Sequence, residues 1–142
     1  MIELDEEIKG RLDRAIEEHK TVTVAYVDVD GKPHISFYGS THVHSSNQLA
    51  IWVRNPQNDL IRTIPDRPNV AIIYGDIGGR VYYTFEGTAS VTDDAEEQER
   101  VYQEMHPVER QFDPDRGGVA VVVDLDRVTL LSAAAGKQVM ER

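Results

Sequence analysis

The chain has 142 residues, 25 acidic against 15 basic, and a formal net charge of −10 at pH 7. This length suits one domain with a single core, and a sequence pI of about 4.8 argues against a general nucleic-acid binder, which needs a basic stripe. The absence of cysteine excludes disulfides, Cys-ligated zinc and thiol nucleophiles, and no apolar run approaches the roughly 20 residues that would cross a membrane.

From the start, Leu4, Ile8, Leu12 and Ile16 recur every fourth residue and predict an amphipathic helix over 4–19. The acidic opening MIELDEEIKGRLDR does not read as a signal peptide, so the expected location is the cytoplasm. TVTVAYVDV (21–29) alternates and is β-branched, which predicts a strand. Asp30-Gly31 predicts a tight hairpin turn, because glycine takes positive φ freely. HISFYGSTHV (34–43) returns as a second strand, Ser45-Ser46-Asn47 turns again, and LAIWVR (49–54) is a third strand.

Asn55 is placed to cap a short helix with Pro56 at its first position, ending near Ile64 before Pro65. NVAIIYG (69–75), an almost unbroken apolar run, predicts a strand buried on both faces. RVYYTFEGTASV (80–91) is a fifth strand. TDDAEEQERVYQEM (92–105) is a second long helix opened by an Asp93…Glu96 capping box. HPVERQFDPDRGG reads as a loop, GVAVVVDLDRVTLLS (118–132) as a sixth strand, and 132–142 as a tail. Six mainly antiparallel strands with two peripheral helices and one short helix make a single α+β domain over 1–142, and closure into a barrel buries a face and removes edges.

The charge is unevenly spread. Residues 1–30 hold nine acids against four bases, and 93–116 nine against three, whereas 31–92 hold four against five. That mildly positive middle contains Arg54, just before the expected cap, and Arg62, four residues after Asn58 on the same helical face. Unpaired amides and the positive end of the helix dipole favour an anion at a strand–helix junction, and guanidinium groups grip phosphate with paired hydrogen bonds. The same two arginines can instead pair with Asp59, Asp66 or other surface acids.

Other candidates carry less. His42 and His44 share a strand face, but no third metal ligand is evident, so no metal site is expected. Ser40 after Gly39 lacks the Gly-x-Ser-x-Gly setting of an activated nucleophile, and no Walker loop or dinucleotide fingerprint is present. Phe37, Tyr38, Trp52, Tyr74, Tyr82, Tyr83 and Phe85 are candidates for the core or for walling a flat ring. Tyr82 and Tyr83 must point to opposite faces.

The succession DGKPHISFYGSTHV, LAIWVRNPQNDLIRTIPDRPNVAIIYGD, VYYTFEGTASVTDDAEEQERVYQEM and GVAVVVDLDRVTLLS resembles the pyridoxamine 5′-phosphate oxidase-like family, the flavin-binding split β-barrels, from about Thr21 to Leu131. The resemblance implies a homodimer with cofactor sites at the subunit interface. It implies FMN, or a deazaflavin in some branches, its phosphate held by the second and third strands and the short helix. Mapped onto this chain, the cofactor-binding residues are Ser40, Thr41, Arg54 and Asn55, with Arg62 an additional cation and Trp52 and Val53 beside the ring. Many members carry a lysine early in the short helix, where this chain reads Pro56-Gln57-Asn58-Asp59, an acid in place of a cation.

The resemblance therefore implies an FMN-dependent oxidoreductase moving a hydride to or from a small substrate. The alternatives are a deazaflavin-dependent reductase, or a non-catalytic flavin- or haem-binding protein, in which His42 or His44 would be the available axial ligands. No catalytic side chain is assigned, although His42 or Tyr82 could lie near the ring, and neither nucleic acid nor membrane is an expected partner.

Overall fold

The computed structural model describes residues 1–142 and arranges them as α1 (Glu6–Asp13), β1 (Val22–Val27), β2 (Pro33–Phe37), β3 (His42–Ser45), β4 (Gln48–Val53), α2 (Asp59–Thr63), β5 (Asn69–Asp76), β6 (Val81–Val91), α3 (Ala95–Glu104), α4 (Pro107–Gln111), β7 (Val119–Ser132) and β8 (Gly136–Glu141). One antiparallel sheet runs β2-β1-β5-β6-β7-β4-β3, with β8 on β7. β7 is long enough to serve two neighbours along one edge. Its residues Val119–Asp124 pair with β4, and Arg127–Ser132 pair with β8. The sheet splits where β7 passes from one to the other, which gives an α+β split barrel.

Eight strands replace the six expected, for two local reasons. The predicted second strand is broken at Tyr38–Thr41, where the Thr41 amide and hydroxyl both donate to the Tyr38 carbonyl and turn the chain. The expected tail instead folds back as β8 through a turn with Gly136 at φ 69°. The Asp30-Gly31 hairpin is present, with Gly31 at φ 80° and the Asp28 carboxylate accepting from the Asp30 and Lys32 amides.

The helices also differ at their edges. α1 is capped by Asp5 and ends at Asp13 rather than at 19, the following turns leading to His19 at φ 59°. α2 starts at Asp59, not Pro56, because Asn58 is the residue whose side chain accepts from the Ile61 amide; the Asn55 side chain accepts from the Gln57 amide and its carbonyl from the Asn58 amide, in a turn. Asp94, not Asp93, caps α3, and the expected loop at 106–118 contains α4, capped by His106. β5 alternates rather than being buried on both faces. Val70, Ile72 and Tyr74 are buried while Ile73 is exposed.

Two cores result. The barrel interior packs Ile8 and Leu12 of α1 with Val24, Leu49, Ile51, Val53, Leu60, Ile72, Tyr74, Phe85 and Val121. Each fully buried aliphatic or aromatic side chain contributes about 1.5–3 kcal/mol. The opposite face of β4 and β7 presents Ala50, Trp52 and Ala120 to Val101, Tyr102 and Met105, which fixes α3 and the segment after it over the end of β4. No helix is long and apolar enough to cross a membrane.

The outer face of the sheet is left uncovered. Register places Phe37, Thr23, Ile73, Thr84, Thr129 and Val139 in one row across β2, β1, β5, β6, β7 and β8. Ile35 and Leu131 stand in flanking rows. Of these, Ile35, Phe37, Ile73, Leu131 and Val139 are exposed, Ile35 at 73% and Phe37 at 71%.

Candidate functional site at the end of β4

At the C-terminal end of β4 successive side chains alternate between the two cores. Val53 points into the barrel and is buried, while Trp52 faces α3. The Trp52 ring meets Tyr102 edge-on, centroids 5.1 Å apart, and its Nε1–H donates to Asp113 Oδ2 at 2.9 Å. Asp113 also accepts from the Gly117 amide at 2.9 Å and the Gly118 amide at 2.8 Å, and its carbonyl accepts from the Tyr102 hydroxyl. Burial disfavours the Asp113 carboxylate. The Trp52 indole N–H, the two glycine amides and the nearby Arg54 charge outweigh it and hold its pKa below 3.8. Gly118 must be glycine, since a Cβ there would stand 2.5 Å from the Val53 carbonyl oxygen and 2.7 Å from the Trp52 nitrogen.

Glu109 of this strap, 106–118, and the β2–β3 turn border an open crevice of about 480 Å³ lined by Tyr38, Gly39, Trp52, Arg54 and Asn58 among others. Val53 and Asn55 complete the β4 side, and Phe37 the opposite rim. Arg54 is exposed and its guanidinium carbon lies 5.0 Å from the centre of the Phe112 ring. It makes no ion pair or hydrogen bond, so its donors remain free. Asn58 Nδ2 donates to the Tyr38 hydroxyl at 3.2 Å and closes one end. Burial raises the Tyr38 pKa, so that hydroxyl stays protonated.

The crevice therefore gathers Trp52, Val53, Arg54 and Asn55 of the residues singled out in the sequence. The other three are elsewhere. Ser40 is buried, its hydroxyl donating to the Trp52 carbonyl and accepting from the Trp52 amide, both at 2.9 Å, so it substitutes for a strand pairing. Thr41 is buried and its hydroxyl is held by the Tyr38 carbonyl at 2.8 Å. Arg62 pairs with Asp59 one helical turn away, both exposed, and does not line the crevice. The surface pairing weighed for the two arginines holds for Arg62 and not for Arg54.

His42 and His44 are buried under α3, 3% and 2% exposed, rather than open to a ligand. The His42 ring meets the Ser40 carbonyl through Nδ1 at 2.7 Å while its Nε2 has no partner, and burial lowers its pKa. His44 Nε2 meets Glu97 at 3.0 Å. Neither histidine lines the crevice, and no group of three or more metal-ligating side chains occurs. Tyr83 is buried and Tyr82 half-buried, on opposite faces.

A second hollow of about 470 Å³ lies on the outer sheet face, between Ala25, Ala71, Glu86 and Arg127, and holds none of the expected residues. Tyr38, a candidate ring wall in the sequence, and Asn58, placed there on the face of Arg62, both line the crevice, whereas Glu109 went unnoticed. Asn58 before an acidic first turn carries a capping signal, whereas nothing in the sequence brings Glu109 to Gly39.

As a test of flavin fit, the crevice is lined by Arg54, whose guanidinium is unpaired, by Asn55 and by Trp52, whose indole packs against α3; the guanidinium and the Asn55 amide suit a phosphate end. The fit rests on fewer groups than the sequence implied, because the Ser40 and Thr41 hydroxyls are already engaged.

The model of a family described as pyridoxamine 5′-phosphate oxidase matches residues 8–132. Among solved structures, a pyridoxamine 5′-phosphate oxidase-related, FMN binding protein from Nostoc punctiforme superposes with a TM-score of 0.67 at 14% identity, over 93% of this chain and 91% of that one. General Stress Protein 26 from Bacillus anthracis gives 0.68 at 20% identity, over 96% and 99%. A heme binding protein from Mycobacterium smegmatis gives 0.68 at 15% identity, over 94% of this chain and 57% of its own. At these identities the likeness is one of fold. No curated protein matches the chain.

Proposed function

We propose, from the premise that this chain belongs to the pyridoxamine 5′-phosphate oxidase family, that it is a homodimeric FMN-dependent oxidoreductase acting on a small substrate in the cytoplasm. The observation that carries this reading is the free Arg54 guanidinium at the end of β4, beside a crevice lined by the chain's one tryptophan.

When bound, FMN supplies reversible hydride transfer at its ring. The chain's part is binding and orientation. Arg54 and Asn55 take the phosphate. Trp52, locked by Asp113 and Tyr102, holds the end of β4 rigid beside the crevice, so little ordering is needed on binding. The strap places Glu109 at that end of the crevice and the Phe112 ring against the Arg54 guanidinium. No side chain here is assigned a proton.

The dimer is supported by the uncovered apolar row of Phe37, Ile73 and Val139, flanked by Ile35 and Leu131, across six strands. Exposed apolar side chains gathered on one sheet face, here with threonines between them, are a feature of interaction surfaces. Phe37 belongs both to that face and to the crevice rim, so a partner seated on the sheet would complete the site. Haem ligation by His42 or His44 lacks support, because both rings are buried under α3.

Titrating the protein with FMN while following Trp52 fluorescence and flavin absorbance tests the reading. Saturable quenching that weakens at least about tenfold in Arg54→Ala is expected. No quenching, or equal binding by the variant, would remove it.

A further inference from the structure

We infer that Glu109 is a charge-selecting residue of the crevice: it opposes a doubly charged phosphate on Arg54 and favours a ligand end that carries one negative charge or is balanced by an N–H donor. The inference rests on reading this crevice as the flavin site.

Three observations combine. First, the Glu109 carboxylate lies close to Gly39, where a Cβ would stand 3.3 Å from its carbon, from one of its oxygens and from Ile16 Cδ1, so a side chain at 39 would crowd it. Second, that carboxylate accepts no hydrogen bond and joins no ion pair, although arginines are plentiful on the strap. Arg110 donates to the Gln103 and Met105 carbonyls and Arg116 to Glu99. Third, Glu109 and Arg54 line the same cavity, and the Arg54 guanidinium is likewise without an ion pair, its carbon 5.0 Å from the centre of the Phe112 ring.

The crevice lining holds one basic and one acidic side chain, Arg54 and Glu109, and the Asp113 carboxylate behind the strap also feels the Arg54 charge. A phosphate dianion entering the crevice gains from Arg54 and is repelled by Glu109. Glu109 is held there by its element rather than by its own contacts. The His106 ring caps α4 and meets Glu17, and Arg110 ties the helix to the end of α3. Removing the charge at 109 should therefore change ligand preference without disturbing the fold.

The experiment compares wild type with Glu109→Gln by Trp52 fluorescence titration, using FMN, riboflavin and inorganic pyrophosphate at one ionic strength. The expected result is FMN and pyrophosphate binding tightened about three- to tenfold in the variant, with riboflavin within about twofold of wild type. If FMN and riboflavin shift together, or neither shifts, the inference is overturned while flavin binding stands. If no flavin binds either protein, the flavin reading fails, and pyrophosphate decides the role of Glu109. Tighter binding to Glu109→Gln supports it; equal constants or no response overturn it.

Discussion

Trp52 and Asp113 are 61 residues apart in sequence and joined by an indole-to-carboxylate hydrogen bond of 2.9 Å. This bond ties the strap after α4 to the end of β4, and two glycine amides converge on the same carboxylate. Asp113→Ala would leave three donors without their acceptor, the indole N–H among them half-buried. A loss of about 1–3 kcal/mol in stability is expected, with a red-shifted Trp52 emission as the strap loosens. Urea denaturation followed by fluorescence measures both.

The same carboxylate gives a pH dependence. Its pKa is depressed in the folded chain, so its stabilising effect is complete above the ordinary value of 3.8 and is lost as pH falls through the lower folded value. The wild-type chain should lose the strap's protection in strong acid. Asp113→Asn, which cannot ionise, should lack that step in melts recorded from pH 5 downward.

His42 acts in a milder range. Burial holds its pKa below 6.5, so the folded chain refuses a proton that the unfolded chain accepts. Stability is full above 6.5 and declines as pH drops from there toward the folded value, by at most about 1.4 kcal/mol per pH unit. His42→Asn keeps an N–H for the Ser40 carbonyl and removes the titration. Thermal melts between pH 7.5 and 5.5 should be flatter in that variant than in wild type.

Arg62 is expected to be silent. Its pairing with Asp59 is exposed on both sides, 65% and 59%, and surface pairs contribute about 0–1 kcal/mol. Arg62→Ala should leave FMN affinity within about twofold of wild type, in contrast to Arg54→Ala. Equal losses in the two variants would return Arg62 to the site.

The uncovered sheet face makes a further prediction. Ile73→Lys places a charge at the centre of the apolar row, between Thr23 and Thr84. Its side chain is already 47% exposed, so the monomer fold should tolerate it. Size-exclusion chromatography with light scattering should show a dimer for wild type and a monomer for the variant.

Much of this molecule was readable where a local rule operates. Alternation in 21–29, the Asp30-Gly31 turn and the run 118–132 each specify a strand or a hairpin without help from distant residues. The boundaries were less readable because caps compete. Asn55 and Asn58 are both able caps, and only the turn made by Asn55 with Gln57 decides between them. Arg54 was legible as a charge at a strand end, whereas the fates of Ser40 and Thr41 were not. Their hydroxyls are engaged by the Trp52 and Tyr38 backbones, a consequence of how the chain crosses itself. Glu109 was invisible for the same reason, since its berth on Gly39 joins segments seventy positions apart in the numbering.

The sharing of one β7 edge between β4 and β8 has a cost for truncation. Deleting Gly136–Arg142 would bare the rungs from Arg127 to Ser132, a ribbon holding Val128, Leu130 and Leu131 with its amides and carbonyls unmet. Such an open margin templates fibrous association. The last seven residues thus act as a selvedge, and a shortened chain should be judged by its tendency to aggregate before its ligand binding is compared.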